Sequence, residues 1–136
     1  MSIKQGAIKP LLLNGNDTNP YVNFNHIKGE FRIGGVAIPE DVLEMFNPII
    51  NWLTQYSKAP REYSEFEFYF EYLNTSATKM IFDICGIINK MADKNISVII
   101  KWLYNRGDIE MYELGEEVLS LIDCPSKIIP VDSDFS

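Results

Sequence analysis

The chain predicts an α/β domain: a small mixed sheet of about five strands, helices mainly on one face, in the order β-β-α-β-α-β-α-β. Three observations carry that expectation. Phe66, Phe68, Phe70 and Tyr72 alternate with Glu65, Glu67, Tyr69 and Glu71, a period of two that gives a strand one apolar and one polar face. Met80, Ile81, Ile84, Cys85, Ile88 and Met91 then recur at helical spacing. Ile96 to Leu103 follows as a strongly apolar run, which reads as a central strand buried on most of both faces.

Taken in order, residues 1–17 show no clear period, and Asn14-Gly15-Asn16-Asp17 is a turn cluster. They read as a loosely ordered N-terminal arm, docked through Ile8 and Leu11 to Leu13. Tyr21, Val22 and Phe24 suggest a first strand, and Lys28-Gly29 the turn into a second through Phe31, Ile33 and Val36. Ile38-Pro39-Glu40-Asp41 breaks that strand. Val42, Met45, Phe46, Ile49, Trp52, Leu53 and Tyr56 repeat at helical spacing, with Pro48 inside the pattern. Because proline lacks an N–H, the expectation is a turn over 41–46, then a main helix capped by Asn47 with Pro48 at its first position.

The alternating strand spans 63–72 and the second main helix about 76–93. After the 96–103 strand, Asp108 can cap a third helix through Met111, Tyr112, Gly115, Val118, Leu119 and Ile122. A glycine inside a helix costs about 1 kcal/mol against alanine, so Gly115 implies close backbone packing. Residues 127–131 form a last strand at an edge, since Pro130 cannot donate to a ladder. Residues 18–131 read as a single domain and 132–136 as a C-terminal tail.

Composition narrows the function classes. A formal charge of −7 disfavours nucleic-acid binding, which relies on Lys and Arg neutralising phosphates, and disfavours an anionic membrane surface. No apolar run approaches the roughly 20 residues of a membrane-spanning helix, and the start lacks the apolar core of a signal peptide, so the default location is cytoplasmic. The two cysteines lack metal spacing: Cys85 reads as core, Cys124 as partly exposed in a turn. His26, the single histidine, reads as a surface residue at a strand end. No Ser-His-Asp or Cys-His arrangement, Walker loop or dinucleotide fingerprint is present, so no cofactor, metal or catalytic residue is expected.

The segment Leu73-Asn74-Thr75-Ser76-Ala77-Thr78-Lys79 falls where strand hands over to helix. Three hydroxyls and an amide sit where free backbone N–H groups and the helix dipole favour negative charge. Two readings stay open on composition. One is simple capping, worth about 1 kcal/mol. The other is a phosphorylation site, because a phosphate there would meet waiting donors and add roughly −1.5 to −2 of charge.

The run Leu73-Asn74-Thr75-Ser76 after an aromatic strand resembles the motif of SiaC-like bacterial regulatory phosphoproteins. Gly35, Ile38-Pro39-Glu40-Asp41, Phe46, Trp52-Leu53, Trp102, Tyr104 and Gly115-Glu116-Glu117 extend the resemblance over about residues 18–130. The family usually shows Ser-Tyr-Pro-Glu-Asn where this chain has Ala37-Ile38-Pro39-Glu40-Asp41, so any contact through that tyrosine hydroxyl is missing here.

The resemblance implies a STAS-like fold and a non-catalytic adaptor in partner switching. A dedicated protein kinase would phosphorylate the threonine corresponding to Thr75, and a PP2C-type phosphatase would remove the phosphate. The unmodified form would bind a target, in some members a diguanylate cyclase. Asn74 and Ser76 would shape the loop, Lys79 would lie one turn away to pair with the phosphate, and Ser76 and Thr78 remain alternative acceptors. Competing expectations are a constitutive protein-interaction domain, in which the segment is only a helix cap, and a small-ligand-binding or enzymatic domain, for which the sequence offers no pocket residues.

Overall fold

A computed structural model describes residues 8–132. A single sheet holds β1 (Leu11–Leu13), β2 (Tyr21–Asn25), β3 (Glu30–Ala37), β4 (Tyr63–Leu73), β5 (Ser97–Asn105) and β6 (Ser126–Val131), side by side in sequence order. β1, β2 and β3 pair antiparallel, whereas β3 to β6 are parallel. The crossovers are helices α1 (Val42–Tyr56), α2 (Thr75–Met91) and α3 (Ile109–Leu119). Their inner faces and the inward residues of the strands make one core, built around Phe24, Phe31, Phe66, Phe68, Phe70 and Trp102. The mixed α/β architecture with helices on one face is the expected one, with six strands rather than five.

The sixth strand is β1, inside the segment expected to be a loose arm. Leu11 and Leu13 turn onto the core, and the Trp52 indole Nε1 donates to the Lys9 carbonyl at 2.6 Å. Residues 1–7 and 133–136, the remainder of the expected arm and tail, lie outside the described residues.

Helix α1 differs from its expected start. It is continuous from Val42, capped by Asp41, whose carboxylate accepts from the Glu44 N–H at 3.0 Å, and Pro48 lies inside it. Pro48 is on the exposed side, so the Glu44 carbonyl it leaves without an amide donor faces water, which lowers the usual cost of an interior proline.

β5 is also unlike its expectation. It alternates: Val98, Ile100 and Trp102 are buried, while Ile99, Lys101 and Leu103 look out from the helix-free face. Glu65 pairs there with Lys101 and Glu67 with Arg32, as cross-strand partners on a wet face. The Lys101 ammonium and the Tyr63 hydroxyl hold the Glu65 carboxyl below the usual carboxylate range.

A register shift between Gly35 and Val36 corrects the end of β4. Phe70 still pairs with Gly35, but Tyr72 pairs with Val36 and Leu73 with Ala37. The extra residue reverses the alternation, so Leu73 points to the core and Tyr72, expected inside, is 57% exposed.

Three further expectations need adjustment. Gly115 packs tightly, but against the Trp102 indole ring rather than a backbone, and that indole donates to the Met111 carbonyl at 3.0 Å. Cys124 is buried, like Cys85, and burial raises both thiols. His26 stacks edge-on against Trp52 and Tyr56 with its Nδ1 buried and unpartnered among the described residues, so it is no simple surface residue. Burial and the nearby Arg61 guanidinium lower its pKa.

Candidate functional site

The parallel strands β3, β4 and β5 each run into a helix, so the N-termini of α1, α2 and α3 gather at one edge of the sheet. In open α/β sheets this carboxyl edge is where binding sites usually form. Asn74 joins two of the connections, its N–H donating to the Ala37 carbonyl at 3.1 Å.

Asn74 is the cap of α2. Its backbone is extended and its Oδ1 accepts from the Ala77 N–H at 2.9 Å. The other polar groups nearby are tied to the same residue. Ser76 Oγ donates to Asn74 Oδ1 at 3.2 Å, and Thr78 Oγ1 donates to the Asn74 carbonyl at 2.9 Å. Thr75 stands apart: it is exposed, occupies the first helical position, and its hydroxyl makes no hydrogen bond among the described residues. Lys79 is exposed one turn on and joins none of the ion pairs among the described residues.

Thus the structure brings Asn74, Thr75, Ser76 and Thr78 to one helix end and separates them by role. Asn74 holds the loop, Ser76 and Thr78 brace it, and Thr75 alone offers a free hydroxyl to solvent. Composition could not separate these hydroxyls, because the distinction depends on where each side chain donates.

The electrostatics differ among the helix ends. α1 carries Asp41 and Glu44 in its cap and first turn, and α3 carries Asp108 and Glu110. α2 has a neutral cap and no acid in its first turn. Its partial positive charge is therefore uncompensated, and a negative group placed there gains about 0.3–1 kcal/mol at an exposed site. Among the described residues, no group of His, Cys, Asp and Glu is placed to hold a metal ion, and no helix is long and apolar enough to cross a membrane.

Replacing the cap tests its role in the fold. Asn74→Ala removes the acceptor of the Ala77 N–H and the anchor of Ser76, and is expected to lower stability by about 1 kcal/mol in urea denaturation. Ser76→Ala, which removes a single part-buried hydrogen bond and leaves the cap in place, is expected to cost less.

Apo-SiaC from Pseudomonas aeruginosa superposes with a TM-score of 0.81 at 25% identity, covering 89% of this chain and 98% of that one. SiaC in the crystal structure of the diguanylate cyclase SiaD with its activator SiaC, from the same organism, matches with a TM-score of 0.82 at 25% identity, over 89% of this chain and 99% of that one. An uncharacterized protein of Pseudomonas aeruginosa strain UCBPP-PA14 is 26% identical over 103 residues, 76% of this chain and 82% of that protein. The family model for SiaC family regulatory phosphoproteins matches residues 13–131, which takes in every strand but the first two residues of β1, all three helices and the whole Asn74–Lys79 segment. The chain belongs to the SiaC family of regulatory phosphoproteins.

Proposed function

We propose that this protein is a non-catalytic adaptor switched by reversible phosphorylation of Thr75. The observation that carries the reading is the lone free hydroxyl at the uncompensated N-terminus of α2, beside two hydroxyls that are already engaged. Membership of a family of regulatory phosphoproteins supports it.

A protein kinase transfers the γ-phosphoryl group of ATP to Thr75 Oγ1, whose proton leaves to a base of the kinase. A PP2C-type phosphatase returns the hydroxyl by hydrolysis. The attached dianion lies beside the first amides of α2, which have no intrahelical acceptor, and one turn from Lys79. The charge therefore stabilises the helix end while altering the surface a partner must cover. The target of the unmodified form is a diguanylate cyclase, by analogy with the SiaC–SiaD complex. On this reading the switch works in the cytoplasm, where ATP for the kinase is available.

The test is intact-mass measurement and peptide mapping of the protein isolated from its own cells, beside a Thr75→Ala variant. A phosphate on the 73–79 peptide that vanishes in the variant is the expected result. Unmodified protein under every growth condition, with a variant that behaves as wild type, would leave Thr75 as an ordinary first residue of a capped helix. A phosphate that moves to Ser76 or Thr78 would shift the acceptor within the same segment.

A further inference from the structure

A second feature lies next to the Asn74 loop and needs no phosphate. The connection between β1 and β2 stands off from the start of α1 and leaves an open groove of ≈ 920 Å³. Its outer wall is a hydrogen-bonded turn: Asn16 Oδ1 accepts from the Thr18 and Asn19 N–H groups at 2.9 and 2.8 Å. Leu13, Met45 and Pro48 supply apolar lining, while Glu40, Asp41 and Glu44 line the helix side.

The charge on that wall is unbalanced. Among the described residues, no Lys or Arg lines the groove. Among the described residues, the ion pairs are Arg32 with Glu67, Lys101 with Glu65 and Arg106 with Asp132, so none neutralises Glu40, Asp41 or Glu44. Asp41 is occupied in capping α1, but its second oxygen and both neighbouring carboxylates remain available. Three carboxylates at one helix start exceed what a single cap needs.

We propose that this groove docks a basic amphipathic segment of a protein partner. Cationic side chains would meet the three carboxylates, and apolar ones the lining beneath them. The groove is open, and its lining runs from the β1–β2 turn to the first two turns of α1, which suits a chain segment better than an enclosed small molecule. Its position couples it to the Asn74 loop through two adjacent residues. Ala37 accepts from the Asn74 N–H, and the Ile38 N–H donates to the Thr18 carbonyl at 2.8 Å. Thr75 does not line the groove, so docking here does not depend on Thr75 being modified.

The experiment uses the full chain and two labelled probe peptides of equal length, one with Lys and Leu at amphipathic helical spacing, the other with Glu in place of Lys. Binding is read by fluorescence anisotropy, and its location by amide chemical shifts. The Lys peptide is expected to bind and to shift residues 13–19 and 38–48, while the Glu peptide does not bind. Glu40→Lys with Glu44→Lys is expected to weaken binding at least tenfold, and Glu116→Lys with Glu117→Lys, on α3, less than twofold. Asp41 is kept so that α1 keeps its cap, and Glu40→Gln with Glu44→Gln repeats the test should the reversed pair fold poorly. Thr75→Ala is expected to bind as wild type, so failure here is separable from failure of the phosphorylation reading.

Unchanged binding in both groove variants overturns the proposal, as do shifts that map elsewhere or equal binding of the Glu peptide. Sedimentation tests the rival occupant. A dimer of the free protein that dissolves in the groove variants would assign the surface to a second copy of the chain and overturn the proposal.

Discussion

On the proposed switch, phosphorylated protein is expected to bind a diguanylate cyclase target about a hundredfold more weakly than unmodified protein, and Thr75→Asp at least about tenfold more weakly. The size follows from desolvation. A partner that covers an exposed, neutral Thr75 must instead desolvate a dianion that the helix amides and Lys79 only partly neutralise, at a cost of several kcal/mol, and each 1.4 kcal/mol is about a factor of ten in affinity. Aspartate carries one charge on a shorter stem, so its effect is smaller. Folding moves the other way. A negative group at the first position of α2, where the helix now has no acid, adds about 0.3–1 kcal/mol of stability, so Thr75→Asp should melt no lower than wild type. Calorimetric titration with the cyclase, paired with thermal melts, separates the two effects. Thr75→Ala should fold and bind as the unmodified protein does. Equal cyclase affinity for the wild-type, Thr75→Asp and phosphorylated forms would sink the switch.

That contrast between binding and folding also marks what the sequence made legible. The alternation of Phe66, Phe68 and Phe70, and the helical spacing from Met80 to Met91, are local patterns that tertiary contacts then satisfied. Asp108 as a cap was equally local, and it accepts from the Met111 N–H at 3.1 Å. Where the reading failed, the deciding atom came from elsewhere in the chain. Tyr72 faces out because β4 meets a register shift against β3 at Gly35, a left-handed residue (φ 87°) that no pattern within β4 announces. Leu11–Leu13 has no period of its own and becomes a strand because β2 offers an edge. Pro48 suggested a helix start because its missing N–H is the local signal, but Pro48 and Glu44 lie on the exposed side of α1, where the orphaned carbonyl is open to solvent. Ile99 and Leu103 suggested a strand buried on both faces, whereas the helices all pack on one side. The site followed the same rule. Its residues were visible as a cluster, but which hydroxyl was free depended on Asn74 accepting and anchoring the others.

The largest stability loss is expected at a glycine that no local rule singles out. Gly34 pairs with Tyr21 on one side and Tyr69 on the other, in the middle of the sheet. A Cβ there would fall on the Tyr69 carbonyl oxygen and the Tyr21 hydroxyl. The hydroxyl is the far end of a side chain, but the carbonyl belongs to a central parallel ladder, so the β3–β4 pairing itself would have to give. Overpacking of this kind costs about 3 kcal/mol. For a chain of this length, that corresponds to a fall of roughly 10–15 °C in melting temperature. Gly86 supplies the control of opposite sign. It lies inside α2 with nothing within 4 Å of where a Cβ would stand, so alanine there removes only the flexibility of glycine. Gly86→Ala should therefore gain about 0.5–1 kcal/mol. Paired thermal and urea unfolding of the two variants checks both. A Gly34→Ala protein that melts within a few degrees of wild type would mean that β3 and β4 can separate cheaply at this point. Since Ala37, three residues beyond Gly34, continues the pairing with Leu73 and accepts from the Asn74 N–H, the loop that holds Thr75 would then rest on a far softer frame than its hydrogen bonds imply.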